Sequence, residues 1–161
     1  MSKADFELAE QLARDLLQAN MIVEPPVIAA ELAEGEGLEV GCTKFKPEYS
    51  HIAGFIDTEK MTIVVNSADS QARQNFTIAH ELGHFLMKHH EQDGYEVLLR
   101  NPSAMKNTPM EQEANCFAAN LLVPMMFLRE YIENFPRATN QQLADIFGVS
   151  TDVIRFRKLY Q

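Results

Sequence analysis

The stretch FTIAHELGHFL, residues 76–86, carries His80 and His84 four positions apart with Glu81 between them. On a helix the two histidines differ by about 40° in direction and about 6 Å in rise, so both rings can reach one ion from a single face. Ile78, Leu82, Phe85 and Leu86 then form an apolar stripe on the roughly opposite side. A helix that buries such a stripe leaves its histidine face looking into a cleft. Glu81 lies beside that face, where a carboxylate reaches a water rather than the ion itself, the general-base position of an HExxH metallohydrolase.

A site of this kind needs a third ligand, because catalytic zinc normally takes three protein ligands and keeps one position open. The segment MEQEANCFAANLL, residues 110–122, offers Glu111 and Glu113. On its helical wheel Ala114, Phe117, Ala118, Leu121 and Leu122 form the packed face; Glu111 sits about 60° from the centre of that face and Glu113 about 100° away on the other flank. Asn115 stands one turn above Glu111 and is able to hydrogen-bond the second nitrogen of a ligand histidine. Glu111 is therefore preferred as the ligand, with Glu113 as the alternative and with Cys116 and Asn120 as the nearer neighbours of Glu113. The small residues Ala114 and Ala118 permit close packing against the His80 helix.

Around these two helices the pattern is mixed. Phe6, Ala9, Leu12, Ala13, Leu16 and Leu17 predict an amphipathic helix over 5–19. EPPVIAAELAEGEG, residues 24–37, predicts a second, short one, with Pro25 and Pro26 at its first turn and Gly35 and Gly37 closing it. From Leu38 to Asn66 the runs LEVGCTKF, SHIAGFID and MTIVVN predict about three strands, mainly antiparallel, the last two joined as a hairpin through DTEK. Residues 91–109 read as a long connection able to border a site and gate access to it. Beyond Val123, MMFLREYIENF predicts another helix, and the terminal NQQLADIFGVSTDVIRFRKLY predicts two short helices joined around Gly148. The expected fold is α+β, with a unit carrying the HExxH site over 1–136 and a helix-turn-helix-like hairpin over 137–161 packed on it.

The chain has 161 residues, 46% of them hydrophobic, enough for one domain with its own core. Its longest apolar stretch is broken by Asn120 and Pro124, so no membrane span is expected, and the acids within the first seventeen residues do not suit a leader peptide. The expected location is the cytoplasm. Cys42 and Cys116 stand alone, outside any CxxC pair, which argues against a disulfide scaffold or a cysteine zinc finger. A formal net charge of −9 disfavours direct nucleic-acid binding and suits a basic protein partner better.

FTIAHELGH, residues 76–84, together with EQEANCFAANLLVP, residues 111–124, resembles the ImmA/IrrE family of zinc metallopeptidases, and the likeness extends to IVVN before the histidine helix and LADIFGVS near the end. LLVP stands where that family is associated with LLMP, a departure that touches no ligand. The resemblance implies His80, His84 and Glu111 as zinc ligands and Glu81 as the catalytic base. It implies a zincin-like core in which a small sheet lies over the active helix, with TIVV, residues 62–65, as the candidate edge strand for a peptide substrate. It further implies a regulatory endopeptidase of bacterial or phage origin whose substrate is a helix-turn-helix transcriptional repressor.

The oxyanion-stabilising donor stays open among His51, His89, His90, Tyr95 and Tyr131. His89 and His90 lie at or beyond the expected helix end, pointing away from His80, and are not counted as ligands. Two rival readings stand beside the peptidase. One is a regulator that binds DNA or a repressor through the C-terminal hairpin; between Arg137 and Gln161 four basic residues face two acids, a thin surplus for phosphate contacts. The other is a binding module whose metal site performs no proteolysis.

Overall fold

The computed structural model describes residues 3–95 and 105–160. Residues 96–104, within the 91–109 connection expected to gate access, lie outside the described residues. Helix α1 (Phe6–Ala19) starts on Asp5, whose side chain accepts the Leu8 amide, and it buries Ala9, Ala13, Leu16 and Leu17 along one stripe. Helix α2 (Ala29–Gly35) starts later than the proline pair suggests. Pro25 and Pro26 precede it, and its first amide, that of Ala29, donates to Asn75 Oδ1 at 2.9 Å, while Asn75 Nδ2 donates to the Val27 carbonyl at 3.0 Å. The cap comes from a residue 46 positions away, so no local signal marks the boundary.

Strands β1 (Glu39–Thr43), β2 (Gly54–Asp57) and β3 (Thr62–Asn66) form one sheet in the order β1-β3-β2. The expected hairpin joins β2 to β3, with Asp57 Oδ1 accepting the Glu59 and Lys60 amides across the turn. The sheet is mixed rather than mainly antiparallel, because β1 pairs with β3 in parallel. The expected edge strand is also displaced: β3, which contains TIVV, is central, and the outer strands are β1 and β2. Ile63 and Val65, two residues apart and so on one face of β3, are buried in the core.

Helix α3 (Gln71–Leu86) carries the HExxH stretch and starts on Ser70, whose side chain accepts the Arg73 amide. Helix α4 (Pro109–Leu122) starts on Thr108, whose side chain accepts the Glu111 amide, with Pro109 at its first position. Pro124 separates α4 from α5 (Met125–Asn134). Helices α6 (Asn140–Phe147) and α7 (Thr151–Lys158) form the terminal hairpin, turned at Gly148 with φ 67°. The described residues thus contain seven α-helices and a three-stranded sheet, and among the described residues no helix is long and apolar enough to cross a membrane.

One core joins these elements. Ala9 and Ala13 of α1, Ile63 and Val65 of β3, Ile78 and Leu82 of α3, Phe117 and Leu121 of α4, and Leu143, Phe147 and Ile154 of the hairpin belong to a single buried cluster. The α3–α4 contact is especially close: a Cβ placed on Gly83 would stand 2.8 Å from Phe117 Cδ1. Ala114 and Ala118 are fully buried beside it, as close packing demands. On the other side of α3 the sheet approaches as tightly, since a Cβ on Gly54 would stand 2.7 Å from both Thr77 Cγ2 and the Val64 carbonyl oxygen. These two close approaches bring α4 and the β2 edge to opposite walls of the histidine face.

Candidate metal centre

His80 and His84 project from one side of α3 and Glu111 from the first turn of α4. His80 Nε2 lies 3.0 Å from Glu111 Oε1, His84 Nε2 lies 3.1 Å from Glu111 Oε2, and the two Nε2 atoms are 3.1 Å apart. One ligand atom from each residue falls within 4.8 Å of the others. Two imidazole nitrogens and one carboxylate oxygen, all turned inward, form a donor set able to hold a divalent metal ion.

The electrostatics favour that reading. Burial pushes the His84 imidazole down to about 4, against the hydrogen bond to Glu111, so it is neutral near pH 7, as a ligand must be. Burial also works to lower His80, but its hydrogen bond to Glu111 and the charges of Glu81 and Glu111 outweigh this, and His80 is raised from its ordinary value. Glu111 is pulled the opposite way from what burial alone would do; its contacts with the His80 and His84 rings hold it well below the usual carboxylate range. Burial pushes Glu81 up to about 7, with His80 opposing and Glu111 reinforcing the shift.

His80 and Glu111 line a cleft of about 680 Å³ whose walls also include Ala53, Gly54 at the start of β2, Arg73 and Phe76 of α3, and Asp152 and Val153 of α7. Glu81 borders the same cleft, and it also borders a second cavity of about 610 Å³ that lies past Gly54, Ile56 and Tyr95. The two hollows share Gly54, His80, Glu81 and Glu111 among their lining residues. Of the five side chains left open as oxyanion donors, His51 and Tyr95 line the second cavity. Tyr131 packs edge-on against Phe147 at 5.8 Å, and His90 stacks on Phe85 at 5.9 Å.

The residues around the cluster divide into one expected and two unexpected. Asn115 takes the position its spacing suggests, with Oδ1 2.8 Å from His80 Nδ1. His89 does not point away. Lys88 adopts a left-handed conformation, φ 57° and ψ 37°, and the following turn (His89–Glu91) folds back. The His89 ring is completely buried, with Nδ1 2.7 Å from His84 Nδ1 and Nε2 3.2 Å from Glu113 Oε1. Glu113 therefore has His89 for company rather than Cys116 or Asn120, and its Oε2 accepts the Asp5 amide at 3.2 Å. A helical wheel continued past Leu86 could not reveal this, because the chain leaves the helix at Met87.

The model of the IrrE N-terminal-like domain matches residues 33–158. A Metallopeptidase ImmA of Bacillus subtilis (strain 168) is 25% identical over 114 residues, 70% of this chain and 66% of that protein. The Radiation response metalloprotease IrrE of Deinococcus radiodurans is 34% identical over 98 residues, 58% of this chain and 28% of that protein. Among solved structures, a Mycobacterium tuberculosis transcriptional regulator superposes with a TM-score of 0.70 at 17% identity, covering 92% of this chain and 54% of that one. That likeness concerns the fold. The alignments span just under two thirds of the first relative and far less of the second.

Proposed function

The chain belongs to the family of the IrrE N-terminal-like domain, and from that premise we propose that it is a zinc-dependent endopeptidase that cleaves a helix-turn-helix transcriptional repressor. The observation that carries this reading is the convergence of His80, His84 and Glu111, donor atoms within 4.8 Å of one another, beside Glu81 in an open cleft. His80, His84 and Glu111 hold the metal. Bound there, zinc supplies a Lewis acid that makes a water acidic near neutrality and polarises a carbonyl.

The rest of the chemistry falls to the chain itself. Glu81, next to His80 on α3 and bordering the cleft, takes the proton from the attacking water and returns it to the leaving amine. Asn115 holds the His80 ring through Nδ1, so that Nε2 is the nitrogen offered to the metal. The outer edge of β2 runs beside both cavities, and an extended substrate segment adds to it as a further strand. Residues 1–136 form the peptidase unit and residues 137–161 the hairpin docked on it.

The DNA-binding alternative is disfavoured by the way the hairpin is used. Arg157, one of its four basic residues, is buried and donates from Nε to the Val123 carbonyl at 3.0 Å. Ser150, Asp152 and Val153, at the start of α7, line the cleft, so the end of the second helix that would contact base edges in a helix-turn-helix is turned to the cleft instead.

The decisive experiment incubates the purified protein with the product of a neighbouring helix-turn-helix gene, with and without a chelator. Cleavage is expected in the wild type, lost on chelation and restored by zinc. In Glu81→Gln it is expected to fall by about 10²- to 10⁴-fold while zinc is retained. Undiminished cleavage by Glu81→Gln would reject the base assignment.

A further inference from the structure

His84, His89 and Glu113 form a buried line that ends on the backbone of the first helix: His84 Nδ1 to His89 Nδ1 at 2.7 Å, His89 Nε2 to Glu113 Oε1 at 3.2 Å, and the Asp5 amide to Glu113 Oε2 at 3.2 Å. His89 is completely buried, His84 is 4% exposed and Glu113 8%. We propose that His89 and Glu113 are positioning residues that act on the metal through His84, fixing its proton on Nδ1 and leaving Nε2 free as a ligand. The inference rests on the reading of His84 as a metal ligand.

The direction follows from what each end can do. The Asp5 amide is a donor only, so Glu113 accepts there, and as a carboxylate it accepts from His89 as well. That places the His89 proton on Nε2 and leaves its Nδ1 a bare acceptor. A bare Nδ1 at 2.7 Å requires a proton on the facing Nδ1 of His84. His84 Nε2, which faces His80 and Glu111, is then the unprotonated nitrogen. Within the line from His84 Nδ1 to the Asp5 amide, reversing any one hydrogen bond sets donor against donor or acceptor against acceptor, a costly buried mismatch; the bare His84 Nε2 facing Glu111 at 3.1 Å is the pairing that a cation between them would satisfy.

The two histidine ligands are thus held by different means: His80 by one amide oxygen at 2.8 Å and His84 by an imidazole–carboxylate pair. The second arrangement reaches across the fold. Asp5 is also the capping residue of α1, so the seating of the first helix fixes the carboxylate at the far end of the line.

The test uses the full chain loaded with zinc. In a long-range proton–nitrogen NMR spectrum, His84 is expected to carry its proton on Nδ1 and His89 on Nε2; a proton on His89 Nδ1 overturns the proposal. Zinc affinity, measured by competition with a chelator, is expected to fall about 10- to 100-fold in His89→Leu. In His89→Gln, whose amide can accept from His84 and donate to Glu113, affinity is expected to stay within a few-fold of wild type. A His89→Leu protein that binds zinc as tightly as wild type overturns the proposal. The wild-type spectrum decides the matter if the buried variants fail to fold. Failure of the wild type to bind zinc at all removes the ligand reading and this inference with it, whereas tight wild-type binding with the wrong His89 tautomer removes this inference alone.

Discussion

His80 on α3 and Asn115 on α4 meet through Nδ1 and Oδ1 at 2.8 Å, so the helix that supplies the carboxylate also orients the first histidine. Asn115→Ala removes the acceptor and frees the His80 ring to choose either tautomer. Zinc affinity is expected to fall about 10- to 100-fold, with Asn115→Asp retaining most of it because a carboxylate oxygen accepts the same hydrogen bond. Chelator competition measures both, and an alanine variant as tight as wild type would show that the contact does not orient the ring.

Zinc uptake should release a proton. Glu111 is held well below the carboxylate range and His84 sits at about 4, so neither has a proton to lose near neutrality. His80 is raised and is the ligand that holds one. The sign follows: raising pH deprotonates His80 ahead of the metal and strengthens binding, and lowering pH weakens it. Calorimetry in buffers of different ionisation enthalpy reads the proton count, and a count of zero near pH 6.5 would contradict the assignment.

Glu81 gives a second, separable pH effect, on the stability of the metal-free protein. Its folded-state value of about 7 lies above the ordinary 4.5, so the folded chain binds the proton more strongly than the unfolded chain. The resulting stability is fully present below about pH 4.5 and is lost as pH rises through 7. Glu81→Gln does not suffer this loss and should be more stable than wild type above pH 7, by at most about 3 kcal/mol, with the advantage disappearing near pH 4. Urea denaturation of the metal-free proteins at both pH values provides the comparison; an advantage independent of pH would argue against burial as its cause.

Gly83 faces the Phe117 ring, and a methyl group there would stand 2.8 Å from Cδ1. In an open helix Gly→Ala gains about 1 kcal/mol. Here Phe117 is completely buried and has little room to yield, so Gly83→Ala is expected to destabilise by about 1–3 kcal/mol. It should also weaken zinc binding, because separating α3 from α4 separates the histidines from Glu111. A denaturation midpoint equal to or above that of wild type would show that the ring can move aside.

Much of the local structure was legible in the order of residues. The apolar spacings of α1, α3 and α4, the hairpin of β2 and β3 and the Gly148 turn each depend on a few neighbouring residues. The pattern of 3.6 or 2 residues per repeat carries that information directly. His80 and His84 share a face by spacing alone, and Glu111 and Asn115 stand one turn apart for the same reason. The likeness to the peptidase family depended on these same motifs.

Local torsions and periodic side-chain direction were enough to set the helices, the three short strands and the residues that share a face on α3 and on α4. The central place of β3 and its parallel pairing with β1 came from the way the chain packs, because strand order depends on which side of the sheet the chain returns to. Only that packing brought Asn75 to the start of α2, buried Arg157 beneath Val123, and turned His89 back through the left-handed Lys88 to join His84 to Glu113. Those contacts join residues that no helical or strand period relates, and each exists because packing the single core leaves a buried polar group that must find a partner.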